Sequence, residues 1–169
     1  MSSKQSDAWI ALYVTDRLGF IPTEALTNAG FYLQVEPVRQ VNYWDLDELT
    51  AALQNALENG NPEITVPPGV QQHEFVMGRY LGVSGQDEFE KATIPVRIEE
   101  QDDHYTVRSW KKLASGKWEN PKNLALNCVV AKSAGAKAIA AAIIEHLKSR
   151  RDLPGMTFDF QQPKTAKGA

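Results

Sequence analysis

The sequence lacks most of the features by which a catalytic or cofactor-binding protein is recognised. It has one cysteine, Cys128, so no intramolecular disulfide can form. Neither the G-x-G-x-x-G nor the G-x-x-x-x-G-K-[ST] fingerprint of a nucleotide site occurs. The three histidines, His73, His104 and His146, have no metal-ligand spacing. We therefore expect no catalytic residues, no cofactor and no metal, and a protein that is not an enzyme.

Long hydrophobic runs are absent as well. The apolar stretches Trp9–Val14 and Ala138–Ile144 are far shorter than the roughly 20 residues that span a bilayer as a helix. The first residues, "MSSKQSDAWIALYV", do not have the hydrophobic region of a secretory signal. These absences predict a cytoplasmic protein without a membrane partner.

Positive charge is not in excess. The chain has 18 basic and 21 acidic residues, a net charge of −3 and a pI of about 5.6. A general nucleic-acid binder needs clustered Lys and Arg on its surface, so this balance argues against one and suits a basic protein partner. The length predicts one α+β domain, 1–152, followed by a tail, 153–169, that is partly disordered from Lys164 onwards.

Periodicity predicts the secondary structure. Three helices are expected at Asp45–Asn59, Gly85–Ala92 and Ser133–Lys148. The region around Phe75–Tyr80 is compatible with a short strand. Five further strands are expected at Ala8–Val14, Phe31–Val41, Thr93–Gln101, His104–Lys112 and Trp118–Val130. The main order is β-β-α-loop-β-β-β-α, which favours an antiparallel sheet with two main helices on one face.

Local signals support these assignments. Asp45 and Glu48 have the spacing of a capping box, and Gly60 is a C-terminal stop for the same helix. Ser133 is expected to cap the last helix. Pro37 cannot donate to a strand ladder and marks an edge strand or a bulge.

A hairpin, "VRSWKKLASGKWENPK", combines basic and aromatic residues, including Trp110 and Trp118. Such a surface could stack single-stranded bases. The alternative is a cross-strand tryptophan pair with lysines that protect an exposed hairpin. The second interpretation needs no ligand.

An acidic cluster lies at the preceding hairpin tip, and capping or helix-dipole effects do not explain it. Complementary charge of this kind speeds association with a basic partner. The candidate partner-binding residues are Glu99, Glu100, Asp102, Asp103 and Tyr105. The run Asp102–His104 could also form an acid–base cluster in a small enzyme, although a solvated turn accounts for it.

Three segments together, "LDELTAALQNALENGNPEITVPP", "YLGVSGQDEFEKAT" and "YTVRSWKKLASGKWENP", resemble small bacterial α+β proteins of the immunity type, including those of contact-dependent growth inhibition systems. The likeness covers roughly Asp45 to Lys148. It implies a non-enzymatic protein that neutralises a cognate toxin domain by covering its active site. It also implies that the loop Asn59–Pro68 is a structural connector. A nucleic-acid-binding module that uses the Trp110/Trp118 hairpin is the alternative.

Overall fold

A computed structural model describes residues 8–67, 75–119 and 122–155 of the chain. Within these residues it contains seven strands, four α-helices and one 3₁₀ turn, Lys132–Ala134. The strands are β1 (Trp9–Val14), β2 (Gly19–Thr27), β3 (Tyr32–Val41), β4 (Glu63–Ile64), β5 (Ile94–Glu100), β6 (His104–Trp110) and β7 (Leu124–Ala131). The helices are α1 (Leu46–Asn59), α2 (Val76–Leu81), α3 (Gln86–Ala92) and α4 (Gly135–Ser149).

The strands form one open sheet in the order β3-β2-β1-β5-β6-β7, and each neighbouring pair is antiparallel. The short strand β4 lies off this path and pairs with β2 in parallel. This arrangement confirms the predicted α+β class with an antiparallel sheet. None of the helices in the described ranges has both the length and the apolar character to cross a membrane.

One face of the sheet, which we call the helix face, is covered by α1 and α4. Leu49 and Leu53 of α1 and Ile139 and Ile143 of α4 are fully buried against it. Both helices therefore bury the apolar stripe that their period predicts. Each of these four side chains contributes roughly 1.5–3 kcal/mol through burial.

The ends of α1 follow the sequence signals in part. The Asp45 side chain accepts the N–H of Glu48 at 3.1 Å, as an N-cap should. Glu48 does not complete the capping box, because its carboxylate accepts the N–H of Asn42 at 2.9 Å. Gly60 ends the helix at φ +61, a conformation that glycine adopts without steric cost.

The predicted Ser133 cap is wrong. Ser133 lies within the 3₁₀ turn, and α4 begins at Gly135 after Ala134, whose side chain makes no capping hydrogen bond. Gly135 has a φ of +71, so the chain changes direction between the turn and the helix. Serine at 133 is therefore one residue too early to cap α4.

Three elements differ from the predicted order, and the short strand β4, in the predicted loop after α1, is one of them. Strand β2 was not expected, because Gly19, Pro22 and Glu24 interrupt its apolar pattern. The strand considered at Phe75–Tyr80 is wrong, since this segment is the helix α2. The last predicted strand begins later than expected, at Leu124.

The second face of the sheet carries a separate aromatic core under α2 and α3. Phe20 and Tyr13 pack there with Phe89, Met77 and other apolar side chains. Because this layer covers β5 as well, Pro95 is buried although the alternation of its strand predicts an outward position. Among the described residues, the two short helices cover only part of this face.

Pro37 lies at the sheet edge, as predicted. In the register of β2 with β3, Pro22 pairs with Val38 and Thr23 pairs with Val35. Glu36 and Pro37 have no paired residue on β2 in this register, which is the geometry of a bulge. The C-terminal tail is described to Gly155, and Phe158 and Phe160 lie outside the described residues.

Candidate binding cleft

The sheet is split between β1 and β2. Strand β1 pairs with β5 along its whole length but with β2 only at Tyr13–Phe20 and Val14–Gly19. Towards Trp9 and Glu24 the two strands diverge. A split of this kind leaves backbone N–H and C=O groups that need other partners.

Asn61 supplies those partners. Its side-chain oxygen accepts the N–H of Trp9 at 2.8 Å, and its amide nitrogen donates to the carbonyl oxygens of Trp9 and Glu24, both at 2.8 Å. The next residue, Pro62, accepts the N–H of Leu26 at 2.8 Å. The loop after α1 therefore completes the sheet, as a structural connector should.

A cleft of about 340 Å³ opens on the second face, at the border between the aromatic core and the uncovered sheet. Two aromatic groups line it. Trp9 stacks on Tyr32 with ring centroids 4.9 Å apart. Across the cleft, Trp118 stacks on Tyr13 at 5.9 Å and meets Phe89 edge to face at 5.4 Å. Such walls are typical of sites that bind apolar or cationic groups.

Glu24 lines the cleft and is only 4% exposed. It lies four residues beyond Phe20 on β2, so its side chain shares the face of Phe20 and Tyr13. Its Oε1 atom is buried and has no hydrogen-bond partner in the described part of the chain. Burial raises the pKa of Glu24 to about 7, against the opposing effects of the Arg97 charge and the Gln34 amide.

Arg97 lines the same cleft and is held by tryptophan rings. Its guanidinium carbon lies 4.6 Å from the ring centroid of Trp9 and 5.0 Å from that of Trp110. Its Nε atom is buried and, among the described residues, has no hydrogen-bond acceptor. Among those same residues Arg97 forms no ion pair with Glu24.

A tyrosine completes the polar part of the cleft. The hydroxyl of Tyr13 accepts a hydrogen bond from the side-chain amide of Gln34. Burial raises the pKa of Tyr13, and the nearby Glu24 carboxylate raises it further. Tyr13 is therefore neutral at physiological pH, and the charged groups that line the cleft are Glu24 and Arg97.

The predicted acidic residues are divided between the two faces. Glu99 pairs with Trp9 in the sheet register, so it borders the cleft, and it lies 3.7 Å from Arg108. Glu100 points to the helix face, where it binds Lys132 at 3.0 Å and the N–H of Ala8 at 3.3 Å.

The remaining predicted residues lie at or near the hairpin tip. Asp102 is exposed, and Asp103 is 88% exposed beside the imidazole of His104. That imidazole lowers the pKa of Asp103. Tyr105 packs against the core of the helix face, so it does not join the exposed acids.

The two hairpin tryptophans do not form a cross-strand pair. Trp110 pairs with Leu124 and is 9% exposed. Trp118 forms an isolated bridge with Lys112, and its indole N–H donates to the Thr93 carbonyl at 2.9 Å. The predicted pair is therefore wrong, because each ring is packed at a different place on the second face.

Other candidate groups have structural surroundings. Cys128 packs against the core of the helix face, and burial raises its pKa. Within the described residues no cluster of His, Cys, Asp or Glu could hold a metal ion. His73 lies outside those residues.

Sequence reasoning missed Glu24 and Arg97 as site residues. The signal was a single acidic residue in the otherwise apolar run "GFIPTEALT". A carboxylate in a central strand is rarely buried without a partner. Recognition of β2 as a strand would have placed Glu24 on the same face as Phe20.

No family model and no curated protein matches the chain. Among solved structures, the chain is similar to a protein of unknown function from Neisseria meningitidis, NMB0488, with a TM-score of 0.57 and 16% sequence identity. The similarity covers 89% of this chain and 100% of that one. At this identity it shows that the two chains share a fold.

Proposed function

We propose that this protein is a non-enzymatic binding protein of the bacterial immunity type, which neutralises a cognate toxin domain by stoichiometric occlusion of its active site. The observation that carries the proposal is the pairing of an aromatic cleft with an acidic border, on the part of the second face that the described residues leave uncovered. Glu99 borders the cleft through its pairing with Trp9, and Asp102 and Asp103 lie at the turn that follows β5.

This combination matches the anatomy of protein interfaces. A central pocket with aromatic walls provides affinity, and the surrounding charges steer the partner and fix its orientation. Beyond the cleft, the second face continues over β6 and β7 as an exposed surface that includes Asn127 and Val129, the latter 66% exposed. An exposed valine beside a charged border is consistent with a surface that a partner covers.

The test is capture of the tagged protein from its native cells, followed by native mass spectrometry. The proposal predicts a one-to-one complex with a basic protein domain. Expression of that domain alone should stop growth, and co-expression with this protein should restore it. A captured domain that keeps its toxic activity in the complex would contradict the proposal, and so would RNA as the sole co-purifying species.

A charge variant tests the acidic border itself. Glu99→Gln, Asp102→Asn and Asp103→Asn together should slow association and weaken the complex by about tenfold or more at physiological salt. Glu100 is left unchanged because it points to the helix face, where it binds Lys132 and the N–H of Ala8. The matched control neutralises three exposed acids elsewhere: Glu58→Gln, Glu63→Gln and Glu145→Gln. Equal affinity of the two triple variants would show that Glu99, Asp102 and Asp103 do not contribute to the interface.

A further inference from the structure

We infer that the cleft on the second face receives one basic side chain, an arginine or a lysine, from the protein partner, with its cationic head at Glu24 and its carbon stem between the aromatic walls. The inference rests on the proposed function, since the side chain belongs to the bound toxin domain. It adds the chemical group that the cleft selects.

The first argument is the state of Glu24. Glu24 is 4% exposed, and its Oε1 atom has no hydrogen-bond partner among the described residues, although the Gln34 side chain bonds to the carboxyl group. Buried carboxylate oxygens normally have a donor, so Oε1 can accept one more hydrogen bond. An incoming cation with N–H groups supplies both the charge and the donors. Burial of a carboxylate without these partners is unfavourable, so a ligand that provides them gains binding free energy.

Arg97 does not already fill this role. Its guanidinium lies over the rings of Trp9 and Trp110, and it forms no ion pair with Glu24 within the described part of the chain. Its position does show what the cleft favours, because a guanidinium is stable there on tryptophan faces. Arg97 on β5 and Tyr13 on β1 are the other titratable groups that interact with Glu24.

The walls suit the stem of a long basic side chain. The Trp9–Tyr32 pair and the group around Trp118 and Phe89 both line the cleft. Among the described residues no ring contact joins these two groups. Lysine and arginine bury their methylene groups along apolar surface while the charged end finds a polar partner.

Charge complementarity also favours a cation over other occupants. The chain carries a net charge of −3, and Glu99 borders the cleft on the side of Trp9. A carboxylate ligand would be repelled by Glu24. Arg97 carries the opposite charge in the same cleft, but its guanidinium is held over the rings of Trp9 and Trp110, so the cation is placed at Glu24. A neutral carboxamide could donate to Glu24 but would gain no charge attraction, so it serves as the control probe.

The experiment uses the isolated full chain and three capped amino acids: N-acetyl-arginine methylamide, N-acetyl-lysine methylamide and N-acetyl-glutamine methylamide. Binding is followed by tryptophan fluorescence and by NMR shifts at pH 8. At least one basic probe should bind about tenfold more tightly than the glutamine probe. Equal binding of the neutral probe, or no binding of either basic probe, would overturn the inference.

Variants assign the selectivity to the cleft. Glu24→Gln should abolish the preference for the basic probe, whereas Glu63→Gln, a change at an exposed acid on β4, should keep it. Tyr32→Leu removes one aromatic wall and should weaken both basic probes while Glu24 remains. A preference that survives Glu24→Gln would place the cation elsewhere.

The outcomes separate the inference from the proposed function. If neither basic probe binds but the protein still forms a one-to-one complex with a toxin domain, the inference alone is contradicted. Probe binding by a protein that has no toxin partner would contradict the proposed function, and it would reassign the cleft to a small organic cation.

Discussion

Asn61 replaces the missing neighbour of Trp9 in the sheet. Its side chain accepts the N–H of Trp9 and donates to the carbonyl oxygen of the same residue, both at 2.8 Å. A strand that diverges from its partner would otherwise leave these groups unpaired. The same side chain also donates to the carbonyl oxygen of Glu24, so Asn61 joins β1 and β2, which both line the cleft.

Loss of the Asn61 side chain should therefore destabilise the fold. Asn61→Ala removes three hydrogen bonds and should lower the free energy of unfolding by about 2–4 kcal/mol. Urea unfolding measures the change. The control is Asn59→Ala, whose side chain donates to Asn55 on an exposed helix face and should cost well under about 1 kcal/mol. Similar losses for both variants would show that Asn61 does not brace the split.

The stability of the protein should depend on the ionisation of Glu24. Because its pKa is raised from 4.5 to about 7, the folded state holds this proton more tightly than the unfolded state. Its contribution to stability is fully present below about pH 4.5 and is lost as the pH rises through about 7. At about 1.4 kcal/mol per pH unit, the loss is roughly 3 kcal/mol.

The Glu24→Gln variant isolates this effect. Between pH 4 and pH 8, the unfolding free energy of the unaltered protein should fall by about 3 kcal/mol relative to that of Glu24→Gln. Subtraction removes the contribution of Asp152, whose pKa is lowered by its hydrogen bonds from Arg150. A difference that stays constant with pH would mean that Glu24 titrates as an exposed carboxyl does.

Gly78 should not tolerate alanine, although it lies in a helix. Alanine normally stabilises a helix by about 1 kcal/mol relative to glycine. At Gly78 an added Cβ would lie 2.6 Å from the carbonyl oxygen of Val83 and 3.2 Å from the ring of Phe75. We expect Gly78→Ala to cost about 1–3 kcal/mol by denaturant unfolding.

Gly85→Ala is the control for this steric argument. Gly85 has an extended backbone, and an added Cβ would meet no atom within 4 Å. Because Gly85 is the N-cap of α3, where alanine is less favourable than glycine, its substitution should cost up to about 1 kcal/mol, less than that of Gly78. A more stable Gly78→Ala variant would show that α2 does not approach Val83 so closely.

Lys112 should stabilise the end of α3. Its ammonium donates to the carbonyl oxygens of Glu90, Lys91 and Gly116 at 2.8, 2.8 and 2.9 Å. Lys112→Met keeps the stem but removes these donors, which should cost about 2–3 kcal/mol in thermal or chemical unfolding. The neighbouring Lys111→Met, at an exposed position, should have little effect. Equal losses of stability in the two variants would show that Lys112 stabilises the fold no more than an exposed lysine does.

The sequence predicted the two long helices because their apolar stripes repeat at the helical period. Leu49, Leu53, Ile139 and Ile143 are all fully buried where that stripe places them. The short helix α2 was not predicted, since six residues give too little of a period to distinguish it from a strand. Its position depends on contacts with the aromatic core, which are tertiary.

The cleft could not be read from local pattern. Glu24 and Arg97 lie on β2 and β5, with β1 between them, and only the strand order brings them to one cleft. The acidic hairpin tip was visible because its residues are adjacent in sequence. The pairing of Glu99 with Trp9, which joins that tip to the cleft, is a matter of register.

The central claim is that Glu24 is a buried carboxyl that binds a cationic group of the partner. A ¹³C NMR titration of its side-chain carboxyl, in the free protein and with a saturating basic probe, measures this directly. The account predicts a pKa of about 7 in the free protein and a clearly lower pKa with N-acetyl-arginine or N-acetyl-lysine methylamide bound. A pKa near 4.5 in the free protein, or one that the bound probe does not lower, would contradict it.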